Sequence, residues 1–131
     1  MPDPETLVSQ CFELGEAVRY VAVLQDGELL MRQRTGIADA SAGESDRYEE
    51  LLVNPTILTL ARRRGDIDCG GLAWVLIRYG NFFTFVHPTS TGHLSVGIEL
   101  DAELDAITAA LARTAGNWDA GAVPARRRQG Q

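Results

Sequence analysis

The chain contains no lysine, so all twelve of its basic residues are arginines. That absence rules out the P-loop, whose glycines lead into a helix through a lysine that reaches the phosphates. Cysteine is scarce as well: Cys11 and Cys69 are too few for a disulfide framework. The longest apolar runs, such as Leu72 to Ile77, fall far short of the roughly 20 residues that cross a bilayer, so no membrane span is expected. The opening MPDPETLVSQ lacks the basic and apolar blocks of a signal peptide, which points to a cytoplasmic protein. Positive charge is also short. The net charge is −6, and setting aside the three tail arginines Arg126 to Arg128 leaves −9 for the rest. A body that acidic repels phosphate backbones and excludes nucleic acid as the expected partner.

What is present is a folded domain's worth of hydrophobic pattern. A chain of 131 residues buries roughly two-thirds of its unfolded surface around one core. Leu7, Cys11 and Leu14 recur at helical spacing over residues 4–14, with Asp3 and Pro4 suited to start that helix and Gly15 to end it. Alternation over Val18 to Leu24, then Asp26-Gly27, then Glu28 to Arg34, predicts a tight hairpin, because Asp-Gly supplies the positive-φ turn it needs. Residues 35–45 carry no burial period and read as a loop. Ser45 or Asp46 can cap the next helix, with Glu49 completing a capping box and Tyr48, Leu51 and Leu52 beginning an apolar stripe. Asn54-Pro55 interrupts that stripe. The helix either kinks there or stops and restarts, before Ile57, Leu60 and Ala61 carry the pattern on to Gly65.

Three strands follow, Leu72 to Tyr79, Phe82 to His87 and His93 to Leu100, linked by Gly80-Asn81 and by Pro88 to Gly92. The unbroken apolar run Leu72 to Ile77 implies cover on both faces. In the last strand Leu94, Val96, Ile98 and Leu100 share one face, while Ser95 and Gly97 leave the other small enough for a helix to approach. Asp101 caps a final helix on Leu104, Ile107 and Leu111, and the domain is expected to span 1–115 with an arginine-containing flexible tail over 116–131. No internal repeat is present. The expected fold is therefore α/β (α+β), a five-stranded antiparallel sheet flanked by helices.

The hairpin RYVAVLQDGELLMRQR, the helix DRYEELLVNPTILTLARRR, the meander LAWVLIRYGNFFTFVHPTSTGHLSVGIEL and the helix DAELDAITAALART, in that order, resemble the roadblock (dynein light chain) family and its profilin-like relatives. The resemblance covers residues 4 to about 115 and rests on the order of elements and the Asp-Gly hairpin rather than on a catalytic motif. It implies a homodimer that performs no chemistry itself and offers paired sheets and central helices to a small Ras-like GTPase, a motor subunit or a signalling protein. It also implies that the strand after Gly71 lies at the sheet edge. A bare apolar edge invites pairing with another chain, which makes Leu72, Trp74, Leu76 and Arg78 the expected dimer edge, with Tyr48, Leu52 and Ile57 on the helix facing the same interface. More loosely, the pattern resembles PAS and GAF sensors, in which the face of Phe83, Phe85 and His87 would line a pocket.

Chemical sites are weaker. Cys69, before Gly70-Gly71, suggests a nucleophile with His87 or His93 as base, but Asp66 and Asp68 are the wrong neighbours for a thiolate and a small residue at a strand start is the simpler reading. His87 and His93 bracket a turn and could face each other across two strands, yet no third or fourth ligand lies at metal-binding spacing. No catalytic residue, metal or cofactor is expected. Arg62, Arg63 and Arg64 close the middle helix, where they suit its negative end and offer planar forks to a partner.

Overall fold

A computed structural model describes residues 2–121. Helix α1 (Pro4–Phe12) precedes strands β1 (Val18–Gln25) and β2 (Glu28–Gln33). A middle helix follows in three joined parts: α2 (Gly43–Tyr48), a π-helical turn over Glu49–Val53, and α3 (Asn54–Asp68). Strands β3 (Val75–Arg78), β4 (Phe83–Thr89) and β5 (Gly92–Ile98) lead into α4 (Leu104–Ala120). All neighbours pair antiparallel in the order β2-β1-β5-β4-β3.

Local chemistry explains the ends. Asp3 accepts from the Glu5 amide and Pro4 sits in the first turn of α1, where its missing N–H is not needed. Asp26 and Gly27 take φ of 51° and 83°, the two-residue turn that matches strand twist, and Gln25 pairs with Glu28 across it. Gly92, where β5 begins opposite Gln25, is required for space. A Cβ there would stand 2.0 Å from the Leu24 carbonyl oxygen, a backbone atom that cannot swing aside. Gly92→Ala is expected to destabilise the fold by about 1–3 kcal/mol, read as a lower urea midpoint at unchanged slope.

The core lies between the sheet and the α1/α4 layer. Leu7 and Cys11 from α1, Val21 and Val23 from β1, Phe85 from β4, Leu94, Val96 and Ile98 from β5, and Leu111 and Ala115 from α4 form one buried cluster. The opposite face of the sheet carries Tyr20, Ser95 and Gly97, and the middle helix lies over it. The sheet is thus covered on both sides, as the small residues of β5 imply.

Three expectations change. The middle helix does not stop and restart at Asn54-Pro55: Asn54 stays helical and its amide bonds back to Glu49, five residues earlier. An α-turn would drive the Pro55 ring into the Leu51 carbonyl, and the wider π-turn just before it relieves that clash. The Thr56 hydroxyl then takes up the Leu52 carbonyl at 2.7 Å. The first strand of the meander is shorter than Leu72 to Tyr79, and β3 is half-buried to exposed rather than covered on both faces, at a sheet edge where β4 alone flanks it among the described residues. Helix α4 runs on past Ala115 to Ala120, because Trp118 is buried, donates its indole N–H to the Asp3 carbonyl at 2.9 Å and ties the two helices together, while Asp119 accepts from Ser90. The stretch from Gly116 to Gly121 thus belongs to the fold, and the remainder of the expected tail, with Arg126 to Arg128, lies outside the described residues.

Candidate interaction face

The middle helix is amphipathic in the unexpected sense. Its inward stripe is Asp46, Glu50, Asn54 and Leu58, all buried, whereas Tyr48 is 61% exposed, Leu52 52% and Leu60 61%. An ordinary surface helix buries its apolar stripe. Here two acids and an amide go in with Leu58, while Leu51, Leu52 and Leu60 stay out. A shallow groove of 250 Å³ runs along the outer side between Leu51, Leu52, Pro55, Thr56, Thr59 and Leu60.

The first half of the inner face is held by buried hydrogen bonds. Glu50 is completely buried, and its two oxygens collect three partners: the Tyr20 hydroxyl donates at 3.0 Å, the Asn54 amide donates at 3.0 Å, and His93 Nε2 lies at 2.8 Å. Asn54 also reaches Ser95 Oγ at 3.4 Å, and its own Oδ1 has no hydrogen-bond partner among the described residues. Three separate sequence positions, on β1, the helix and β5, converge on one carboxyl group. Burial foremost, then the Glu50 charge and hydrogen bond, pushes the Tyr20 hydroxyl well above its ordinary range. One turn earlier Asp46 accepts from Ser41 at 2.6 Å, and Glu49 accepts from the Tyr79 hydroxyl at 2.7 Å. That last bond fastens the helix beside the end of β3, so the outer helix face and the open strand edge adjoin.

Ser95, His93 and Glu50 are residue types that elsewhere make a hydrolytic triad. In this fold all three are sealed between helix and sheet, and the serine meets Asn54 rather than the imidazole, so the arrangement positions a helix.

The expected interface residues divide between the two sheet faces. Alternation turns Leu76 onto the α1/α4 core, Trp74 packs its ring 5.2 Å from that of Phe85, and the Arg78 guanidinium stands over the Phe83 ring. Leu72 precedes the strand and is half-buried. Tyr48 and Leu52 project outward from the helix on the other face, and Ile57 is half-buried there. The side chains of β3 that share the helix side are Val75 and Ile77, at alternate positions. What joins the two groups is the backbone edge of β3.

His87 pairs with Leu94 and so faces the α1/α4 core side, while His93 faces the helix. The two imidazoles therefore lie on opposite faces and share no site. Among the described residues no group of three His, Cys, Asp or Glu side chains is placed to hold a metal ion. Phe83, Phe85 and His87 do share a face, but Phe85 is fully buried in the core and Phe83 packs against it instead of lining a pocket. Cys69 is exposed in the turn after α3, and Cys11 is buried, its thiol pushed up to about 12 by desolvation. Arg62 and Arg63 are exposed beside the apolar face, and Arg64 pairs with Asp68 at 2.7 Å, whose carboxyl it holds below the usual range.

An open cleft of 650 Å³ lies at the far end of β1, where a bulge displaces Arg19 between Val18 and Tyr20. Its floor is the buried Arg19 guanidinium, already bonded to Glu99 and to the Ala38 and Asp39 carbonyls and stacked over Phe82. This anchors the loop that leads into the middle helix.

Neither the buried carboxyl nor the outer face was legible from spacing alone. Tyr48 and Leu52 were readable as apolar. That Glu50 points inward follows from Tyr20 and His93, which lie 30 and 43 positions away.

An antiparallel five-stranded sheet between a two-helix layer and a single long helix, in the order α-β-β-α-β-β-β-α, defines the profilin-like class. Within that class the chain has the roadblock fold. It superimposes on a roadblock/LC7 domain from Streptomyces avermitilis with a TM-score of 0.66 at 17% identity, over 88% of this chain and 93% of that one. A structure of MglB in a tetrameric arrangement gives 0.60 at 12% identity, over 88% and 91%. The gliding protein MglB of Thermus thermophilus gives 0.57 at 15% identity, over 87% and 91%. No protein-family model and no curated protein matches the chain by sequence.

Proposed function

We propose that this protein is a non-enzymatic adaptor or regulator that works as a homodimer and engages a small Ras-like GTPase or another signalling protein. The observation that carries the reading is the inverted middle helix beside an uncovered strand edge. Tyr48, Leu51, Leu52 and Leu60 are exposed on one face next to β3, which among the described residues has a strand partner on one side only. An apolar patch bordered by polar residues marks a protein contact, and a twofold axis closes such a surface on itself. Charge supports the same arrangement. The start of the helix carries Glu44 and its end Arg62 and Arg63, all exposed, so two antiparallel copies set acid against arginine. The fold shared with MglB, one structure of which is described as tetrameric, is consistent with self-association.

The test is affinity capture with the full chain, followed by assay of recovered GTP-binding proteins for altered hydrolysis. Recovery of a GTPase that is lost with a Leu51→Asp/Leu52→Asp variant supports the reading. Recovery of no GTP-binding or signalling protein contradicts it.

A further inference from the structure

A small, nearly closed cavity lies between the first half of the middle helix and the sheet. Tyr20, Gly97 and Thr84 bound it from the strands, Asp46 and Glu49 from the helix, and it leaves about 10 Å³ for the centre of a water molecule. That is the room one water needs. The strand β5 offers no side chain to fill it, because a Cβ on Gly97 would stand 3.1 Å from Arg19 Cγ and 3.2 Å from Tyr20 Cβ.

Thr84 is the residue that points to an occupant. It alternates with the core-facing Phe83 and Phe85, so its side chain rises from β4 into this space. The residue is 2% exposed, and no hydrogen bond among the described residues uses its hydroxyl. A buried hydroxyl without a partner costs stability, and polar groups that face each other without touching are commonly joined by a water. Ser41 donates to one oxygen of Asp46 and Tyr79 to one oxygen of Glu49, so each carboxyl keeps a second oxygen able to accept.

Size and charge select the ligand. Arg19, a permanent cation, lines the same space and opposes a metal or ammonium ion, while the two carboxyls oppose an anion. A neutral molecule that both donates and accepts fits, and at this volume water is that molecule.

We propose that this cavity is a binding site for a single long-lived water, which accepts from the Thr84 hydroxyl and donates to the carboxyls of Asp46 and Glu49. The water ties β4 to the helix turns that carry Leu51 and Leu52. This assignment is independent of the homodimer reading.

A high-resolution crystal structure of the full chain, with oxygen-17 relaxation dispersion in solution to count long-lived waters, tests it. The expected result is one peak within hydrogen-bond distance of Thr84 Oγ1 and of a helix carboxyl. Thr84→Val, which keeps the shape and removes the hydroxyl, is expected to lower the count by one, and Thr84→Ser to restore it. A dry cavity in the unmodified chain, or a Thr84 hydroxyl bonded directly to a carboxyl, overturns the proposal. So does a count unchanged in Thr84→Val, or an anomalous signal at the peak after a rubidium soak, which would make the occupant a cation. Should Thr84→Val fail to fold, the crystal structures of the unmodified chain and of Thr84→Ser decide, a peak in both supporting the site and its absence from both refuting it.

Discussion

Glu50→Ala is expected to lower the stability of the fold by about 3 kcal/mol or more, since each buried polar group left without its partner costs about 1–3 kcal/mol. The loss is large because a single truncation strands three groups. The Tyr20 hydroxyl, the Asn54 amide and His93 Nε2 all meet the Glu50 oxygens within 3.0 Å, in a site with no solvent access to replace them. Relief of repulsion with Asp46 and Glu49 offsets part of the loss. Glu50→Gln keeps two acceptor sites on one oxygen and is expected to cost less than half as much. The pair Glu50→Leu with His93→Leu separates the partner penalty from the packing: removing both ends of the contact is expected to cost less than the sum of the single changes by about 1–3 kcal/mol. Urea titrations followed by circular dichroism measure all five variants, the two leucine single changes included, and strict additivity would show that Glu50 and His93 do not act as a unit.

Leu51→Asp together with Leu52→Asp is expected to weaken self-association by about 30-fold or more, the effect of losing one hot spot of about 2 kcal/mol. Both side chains are already in water in the single chain, so the unfolding free energy measured at high dilution is expected to move by no more than about 0.5 kcal/mol. That contrast separates an interface residue from a structural one. At higher concentration the unmodified chain gains apparent stability by mass action and the variant does not. Sedimentation velocity over a concentration series, paired with urea titration at the lowest concentration, provides both readings. An unchanged association constant would remove the outer helix face from the interface.

How far these features were legible in the sequence depended on whether their cause is local. The Asp26-Gly27 hairpin is local: two adjacent residues supply the turn, and alternation on either side supplies the strands. The division of β5 into Leu94, Val96 and Ile98 against Ser95 and Gly97 is local too, and the two layers follow it. The middle helix is different. Pro55 argues against continuity at every position within reach, and the π-turn that accommodates it leaves no pattern in the sequence. Nothing near Glu50 and Asn54 in the chain marks them as buried; their partners come from β1 and β5. At the far end, Gly116 and its neighbours have the composition of a tail, and only the docking of Trp118 against the start of α1 keeps them in the helix. The interface residues around β3 were expected from the edge position that the resemblance implies, and the pleat places Leu76 on the core side.

The mass of the full chain in solution, by light scattering in the micromolar range, tests the account most directly. An outward apolar helix beside an open strand edge predicts about 28 kDa, twice the 14.2 kDa of one chain. A mass of 14.2 kDa across that range would contradict it.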